Sequence, residues 1–152
     1  TVVGAPALIP RLSVPDLDLR MGLYRRLGEI EERAGVDEFA AEMIHRFGKL
    51  PEETKNLLTI VETKINCRAA CIAKLDVGAK GAVVAFVDRG YPDLGGLLAY
   101  ADRFKGAARL RPDSKLVVNR DWPTGEARLQ GALQISRGLA RVLAASKVPE
   151  PA

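Results

Sequence analysis

The run VDEFAAEMIHRFGKLPEE, Val36 to Glu53, limits what this chain can become, because it ends one helix and starts another with almost no chain between them. Phe39, Ala40, Met43, Ile44 and Phe47 recur with the 3.6-residue period and predict one apolar stripe. Glu38, Glu42, His45 and Lys49 are expected on the opposite face. Gly48 suits a left-handed cap at the end of the first helix. Pro51 suits the first position of the next, where its missing N–H costs nothing. Helices joined this tightly must pack antiparallel or in a compact corner. Taken alone, the polar face reads as the wet side of a surface helix.

The neighbouring segments extend this pattern. Residues 1–15 carry Pro6, Pro10 and Pro15 among short apolar pairs and predict an extended arm. Asp16 or Asp18 can cap a first helix from Leu17 to Ala34, with Leu23, Leu27, Ile30 and Ala34 on its buried side and Gly35 as its breaker. A third helix is expected from Pro51 to about Ala70. Glu52 and Glu53 stand at its N-terminus, and Leu57, Leu58, Val61, Ile65 and Ala69 supply its apolar face. The period then changes. Ile72–Val77 and Ala82–Val87 flank Gly78-Ala79-Lys80-Gly81, a hairpin signal. Asp93–Phe104 reads as helical. Arg109–Arg111 and Lys115–Asn119 flank Pro112-Asp113-Ser114 and predict a second hairpin. A final helix begins near Thr124 and uses Leu129, Leu133, Ile135, Leu139 and Val142, before Pro149 and Pro151 mark a frayed tail over 147–152. The expected fold is α+β: an N-terminal three-helix segment, a small antiparallel sheet of two hairpins and a C-terminal helix, forming one domain over 16–146.

At 152 residues, with 28% charged and 47% hydrophobic, the composition is that of a globular domain with a core of its own. No run approaches the ~20 apolar residues of a membrane span. The first ten residues lack the pattern of a secretory signal and an initiator Met, which fits a fragment cut from a longer chain. Two cysteines four apart point to a reducing cytoplasm. The net charge of +4 is uneven: −3 through Glu62 and +7 from Thr63 on. A basic second half could attract nucleic acid by counterion release, so a basic nucleic-acid-binding domain stands as one reading. Dispersed cations that merely solvate the surface stand as the other.

Enzymatic signals are weak throughout. Gly78-Ala79-Lys80-Gly81 joins two strands, whereas a phosphate cradle needs GxxxxGK[ST] between a strand and a helix. Cys67 and Cys71 share a helix face, but one histidine and no second cysteine pair leave a structural zinc site short of ligands. His45, the single imidazole, has no serine or cysteine elbow to serve. Trp122, before Pro123, reads as a staple for the last helix; a base-stacking platform is the alternative, poorly supported without companion aromatics. No catalytic, cofactor or metal residue is nominated.

PALIP at 6–10, VPDLDLRMGLYRRL at 14–27, AEMIHRFGKLPEE at 41–53, NLL at 56–58 and KGAVVAF at 80–86 together resemble the C-terminal domain of the bacterial transcription-repair coupling factors. The resemblance implies a factor that recognises stalled RNA polymerase, translocates on double-stranded DNA with ATP and recruits excision repair. ATP and magnesium are implied only for motor domains elsewhere in such a factor. It also implies that this segment is a non-catalytic, autoinhibitory clamp. Docked on an N-terminal UvrB-like module, it hides the UvrA-binding surface and restrains translocation. Carried onto this chain, the inter-domain contact falls on Glu42, with Glu38 and His45 beside it. Arg46 stands between an intrahelical pair with Glu42 and the interface, and Phe47, Gly48 and Pro51 are structural. His45 departs from the family's usual aspartate, which leaves Glu42 alone to hold a partner arginine. Cys71 departs from the glycine that closes the third helix.

Overall fold

In the computed structural model, residues 5–146 are described; the ends of the expected arm and the whole of the expected tail, 1–4 and 147–152, lie outside them. The contacts gather into two compact units, Ala5–Ile65 and the chain from Asn66 on.

The first unit holds α1 (Leu17–Glu29), α2 (Arg33–Phe47) and α3 (Glu52–Ala69) as far as Ile65. Asp16 caps α1 by accepting the N–H of Asp18 at 3.0 Å. The helix stops five residues before the expected Ala34, where Ile30 turns extended (φ −73°, ψ 124°) and its N–H closes on the Leu27 carbonyl. Glu32 then takes an extended conformation as the residue before α2. Gly35 therefore lies inside the first turn of α2 and breaks nothing. A Cβ there would come 2.9 Å from Ile30 Cγ2, so the glycine lets α2 approach the end of α1.

Ile9 and Val14 of the arm, Leu23 and Leu27 of α1, Val36, Phe39 and Met43 of α2 and Leu58 of α3 form the buried core of this unit, with Phe47 half-buried against it. Three expected members are absent. Ile44 is 51% exposed, because at about 100° per residue it falls roughly 80° from the centre of the Val36–Met43–Phe47 stripe. Ala34 and Ala69 are also exposed.

The arm is fastened by polar groups of α3 that the periodicity concealed. Thr54, fully buried, donates from Oγ1 to the Leu8 carbonyl at 3.1 Å. Asn56 donates from Nδ2 to the Pro6 carbonyl at 2.9 Å. The Leu8 N–H reaches the Glu53 carbonyl at 3.1 Å, and the Ile9 N–H reaches the Tyr24 hydroxyl at 2.7 Å. An extended segment has no internal ladder, so these bonds satisfy its backbone.

In the second unit, β1 (Ile72–Gly78) and β2 (Gly81–Phe86) form the first hairpin, α4 (Leu94–Asp102) follows, and β3 (Ala108–Leu110) and β4 (Leu116–Asn119) form the second. The strands run antiparallel in the order β1-β2-β4-β3. Leu75, Val77, Ala82, Val84, Leu116 and Val118 alternate to the buried face. α5 (Gly125–Ser146) packs on β1 and β2, and α4 packs on β3 and α5. Tyr91 donates its hydroxyl to the Leu139 carbonyl at 2.6 Å within this core. The indole of Trp122 lies against Gly131 of α5, the stapling role expected of it. The α+β architecture and both hairpins match the sequence expectation.

Candidate functional site

The RFG turn does what its residues dictate, with one difference. The Gly48 N–H donates to the Ile44 carbonyl at 2.9 Å and ends α2. Its φ of 86° is positive as expected, but ψ is −160°. That combination lies outside the left-handed helical basin, in a region open essentially to glycine alone. The Pro51 carbonyl accepts the N–H groups of Thr54 and Lys55 and so launches α3. With only three residues between α2 and Pro51, Lys49 falls beyond the helix and off the face it was expected to share.

Glu42 points toward α1. Its Oε2 accepts from Arg26 Nη1 at 2.7 Å and its Oε1 from Arg26 Nη2 at 2.7 Å, a two-pronged pair. Arg46, one turn further along α2, adds a bond from Nη1 to Oε2 at 3.0 Å. Both guanidinium groups also lie over rings of α2: Arg26 is 5.3 Å from the centroid of Phe39, and Arg46 is 4.9 Å from that of Phe47. The five side chains form one partly exposed assembly. The hydrogen bonds from Arg26 and then Arg46 hold the Glu42 carboxyl well below the usual carboxylate range, at about 2. The same bond raises Arg26 above the ordinary guanidinium value.

This changes the meaning of two expectations. Arg46 makes the intrahelical pair with Glu42. Glu42, expected to keep its charge for an outside arginine, already has an arginine of its own domain. No short-range spacing rule could have nominated Arg26, which is sixteen residues away in sequence. Its signal was the second arginine of LYRRL, set on the flank of α1 beside the Leu23–Leu27 stripe.

The other expected residues spread around this assembly. Glu38 and His45 are exposed on α2, Glu38 one turn before Glu42. Beside Glu42 lies a shallow pocket of about 230 Å³, lined by Arg26, Ile30, Gly35, Glu38, Phe39 and Glu42. Burial pushes the Cys67 thiol up to about 11, which leaves it neutral and a poor ligand or nucleophile. Among the described residues no group of three or more His, Cys, Asp or Glu could hold a metal ion. No described helix is long and apolar enough to cross a membrane.

The family profile of the TRCF domain matches residues 3–96, which include this face. The chain belongs to the TRCF domain family. The transcription-repair-coupling factor of Rickettsia bellii (strain RML369-C) is 39% identical over 116 residues, 76% of this chain and 10% of the relative. That of Escherichia coli (strain K12) is 26% identical over 134 residues, 88% of this chain and 12% of the relative. A crystal structure of the C-terminal domain of a transcription-repair coupling factor has the same fold, with a TM-score of 0.76 at 17% identity over 94% of this chain and 92% of that one. The TRCF domain described here thus spans about a tenth of the length of the curated relatives it matches.

Proposed function

We propose that this TRCF domain is the autoinhibitory clamp of a transcription-coupled repair translocase. It docks on an N-terminal UvrB-like module of the same factor, masks the surface that binds UvrA and restrains DNA translocation until RNA polymerase is engaged. The observation that carries this reading is the Arg26–Glu42–Arg46 assembly: a charged, half-exposed group whose geometry is set before any partner arrives. Complementary charge gives a polar interface its register and specificity more than its affinity. A releasable clamp needs that balance, since tethering supplies a high effective concentration and tight binding would prevent release.

The test is the full-length factor carrying Glu42→Ala. Its ATP hydrolysis without polymerase and its capture by immobilised UvrA should both rise. Unchanged values of both would overturn the clamp reading.

A further inference from the structure

The second unit carries a group of cations that the clamp reading leaves unused. Arg103 and Lys105 stand in the turns that follow α4, Arg120 just after β4 and Lys80 in the turn between β1 and β2. Backbone bonds bring these places together: the Arg120 N–H donates to the Lys80 carbonyl at 3.0 Å, and the Asn119 N–H donates to the Ala107 carbonyl at 2.7 Å. We infer that this corner is a docking surface for an acidic protein segment, whose carboxylates are received by the guanidinium groups of Arg103 and Arg120. It uses no residue of the Arg26–Glu42–Arg46 assembly and does not depend on the clamp reading.

An aromatic floor prepares the two arginines. Arg120 lies 4.7 Å from the centroid of Phe104 and Arg103 lies 5.9 Å from that of Tyr100. The two rings meet edge to face, with centroids 5.3 Å apart. Burial pushes the Tyr100 hydroxyl up, and Arg103 and Arg120 both act against that shift, so the two cations bear on one group. A guanidinium already resting on a ring loses less freedom when it binds, and its edge still offers the N–H fork that fits a carboxylate. Arg120 gives Nη1 to the Asn119 carbonyl at 3.2 Å. None of the four cations forms an ion pair among the described residues.

Local charge selects the sign of the partner. With the flanking Asp102 and Asp121 counted against the four cations, an excess of two positive charges remains. The same two aspartates select its class. A nucleic-acid backbone presents phosphates at close, unbroken spacing, so it would meet Asp102 and Asp121 as well as the cations. A protein segment carries discrete carboxylates that seat between them, and basic side chains beside those carboxylates can answer the aspartates. The corner also lacks a platform for bases. Tyr100 is only 6% exposed and Phe104 is half-buried with Arg120 over it, whereas single-strand binding needs open rings.

The experiment follows the backbone amide signals of the whole chain by NMR as a short glutamate-rich peptide is added, with the same peptide carrying glutamine for glutamate and a short DNA duplex as comparisons. The glutamate peptide is expected to move the signals of Lys80, Arg103, Phe104 and Arg120 in a saturable way, and the glutamine peptide to move none of them. Arg103→Gln and Arg120→Gln should each weaken binding about two- to fivefold, as for the loss of one exposed charge pair. Arg11→Gln, which removes an exposed charge of the first unit, should leave binding unchanged. Thermal melting accompanies each variant. Where an arginine variant melts early, Lys80→Gln replaces it, since that side chain is exposed and makes no contact among the described residues; the same weakening is expected. No saturable shift at these residues, or binding that none of the cluster substitutions weakens, would overturn the inference. So would a duplex that moves the same signals at lower concentration than the peptide, which would make the corner a nucleic-acid site.

Discussion

Arg26 and Glu42 bind each other through both prongs of the guanidinium and both oxygens of the carboxylate, across the gap between α1 and α2. The pair ties two helices whose connection contains no glycine or proline, and it fixes the angle at which the α2 face is presented. Removing it should be visible at Glu42 itself. In Arg26→Gln, the titration midpoint of the Glu42 carboxyl, followed by NMR, should climb from about 2 toward the ordinary 4.5. Arg46→Gln should move it less, because the Arg46 bond is the smaller of the two influences. An unmoved midpoint in Arg26→Gln would show that the pair does not persist in solution.

The same depression fixes the sign of an acid effect. A carboxyl whose folded value lies below its unfolded one contributes stability that is fully present above the unfolded value and is lost as pH falls through the folded one. For Glu42 that window runs from about 4.5 down to about 2. Wild type should lose stability across this range more steeply than Glu42→Gln in denaturant melts. Added salt should shrink the difference, since the pair is well exposed and screened.

Gly48 should tolerate no side chain. Its backbone lies in the glycine-only region, while an added Cβ would meet nothing within 4 Å, so the whole penalty is conformational. Gly48→Ala is expected to destabilise the domain by about 1–3 kcal/mol in urea unfolding. A change below a few tenths would mean that the turn can adopt another path.

Cys71 offers the opposite case. It holds a left-handed φ of 58° where α3 hands over to β1, a conformation that costs a residue with a Cβ about 1–2 kcal/mol. Cys71→Gly should therefore raise the unfolding free energy by about 1 kcal/mol, the strain relieved less the extra freedom of the unfolded glycine. A loss of stability would show that the Cys71 side chain contributes more by packing than its backbone costs.

The excess of cations after Thr63 predicts only weak attraction to nucleic acid. Lys74 is paired with Asp76 at 3.6 Å and Arg111 with Asp113 at 2.6 Å, while Arg120 lies over the ring of Phe104. A salt titration with duplex DNA should give a shallow slope, as expected when few phosphates are neutralised. A steep slope with tight binding at low salt would favour the nucleic-acid reading over the clamp.

Periodicity carried the fold, and local rules failed where distant residues decide. The Leu23–Leu27 and Phe39–Met43 stripes, the Asp16 cap and the two hairpins follow from spacings of a few residues, and the structure keeps them. The break between α1 and α2 was misplaced because a glycine looked like punctuation. The chain instead turns extended at Ile30 and Glu32, before that glycine is reached. Thr54 and Asn56 lie outside the apolar spacing of the third helix, although their task is to hold a segment some 50 residues earlier. At the candidate site, composition and spacing placed Glu42 on a wet face; its position on the α1 side of that face, and hence its bond to Arg26, needed the packing of the two helices.

The anchoring of the arm has a mechanical side. Pro6, Leu8 and Ile9 are bonded to Asn56, Glu53, Thr54 and Tyr24 through four short contacts. A pull applied at Pro6 meets these bonds first. It is delivered directly to α1 and to the first turns of α3, on either side of the helix that carries Glu42.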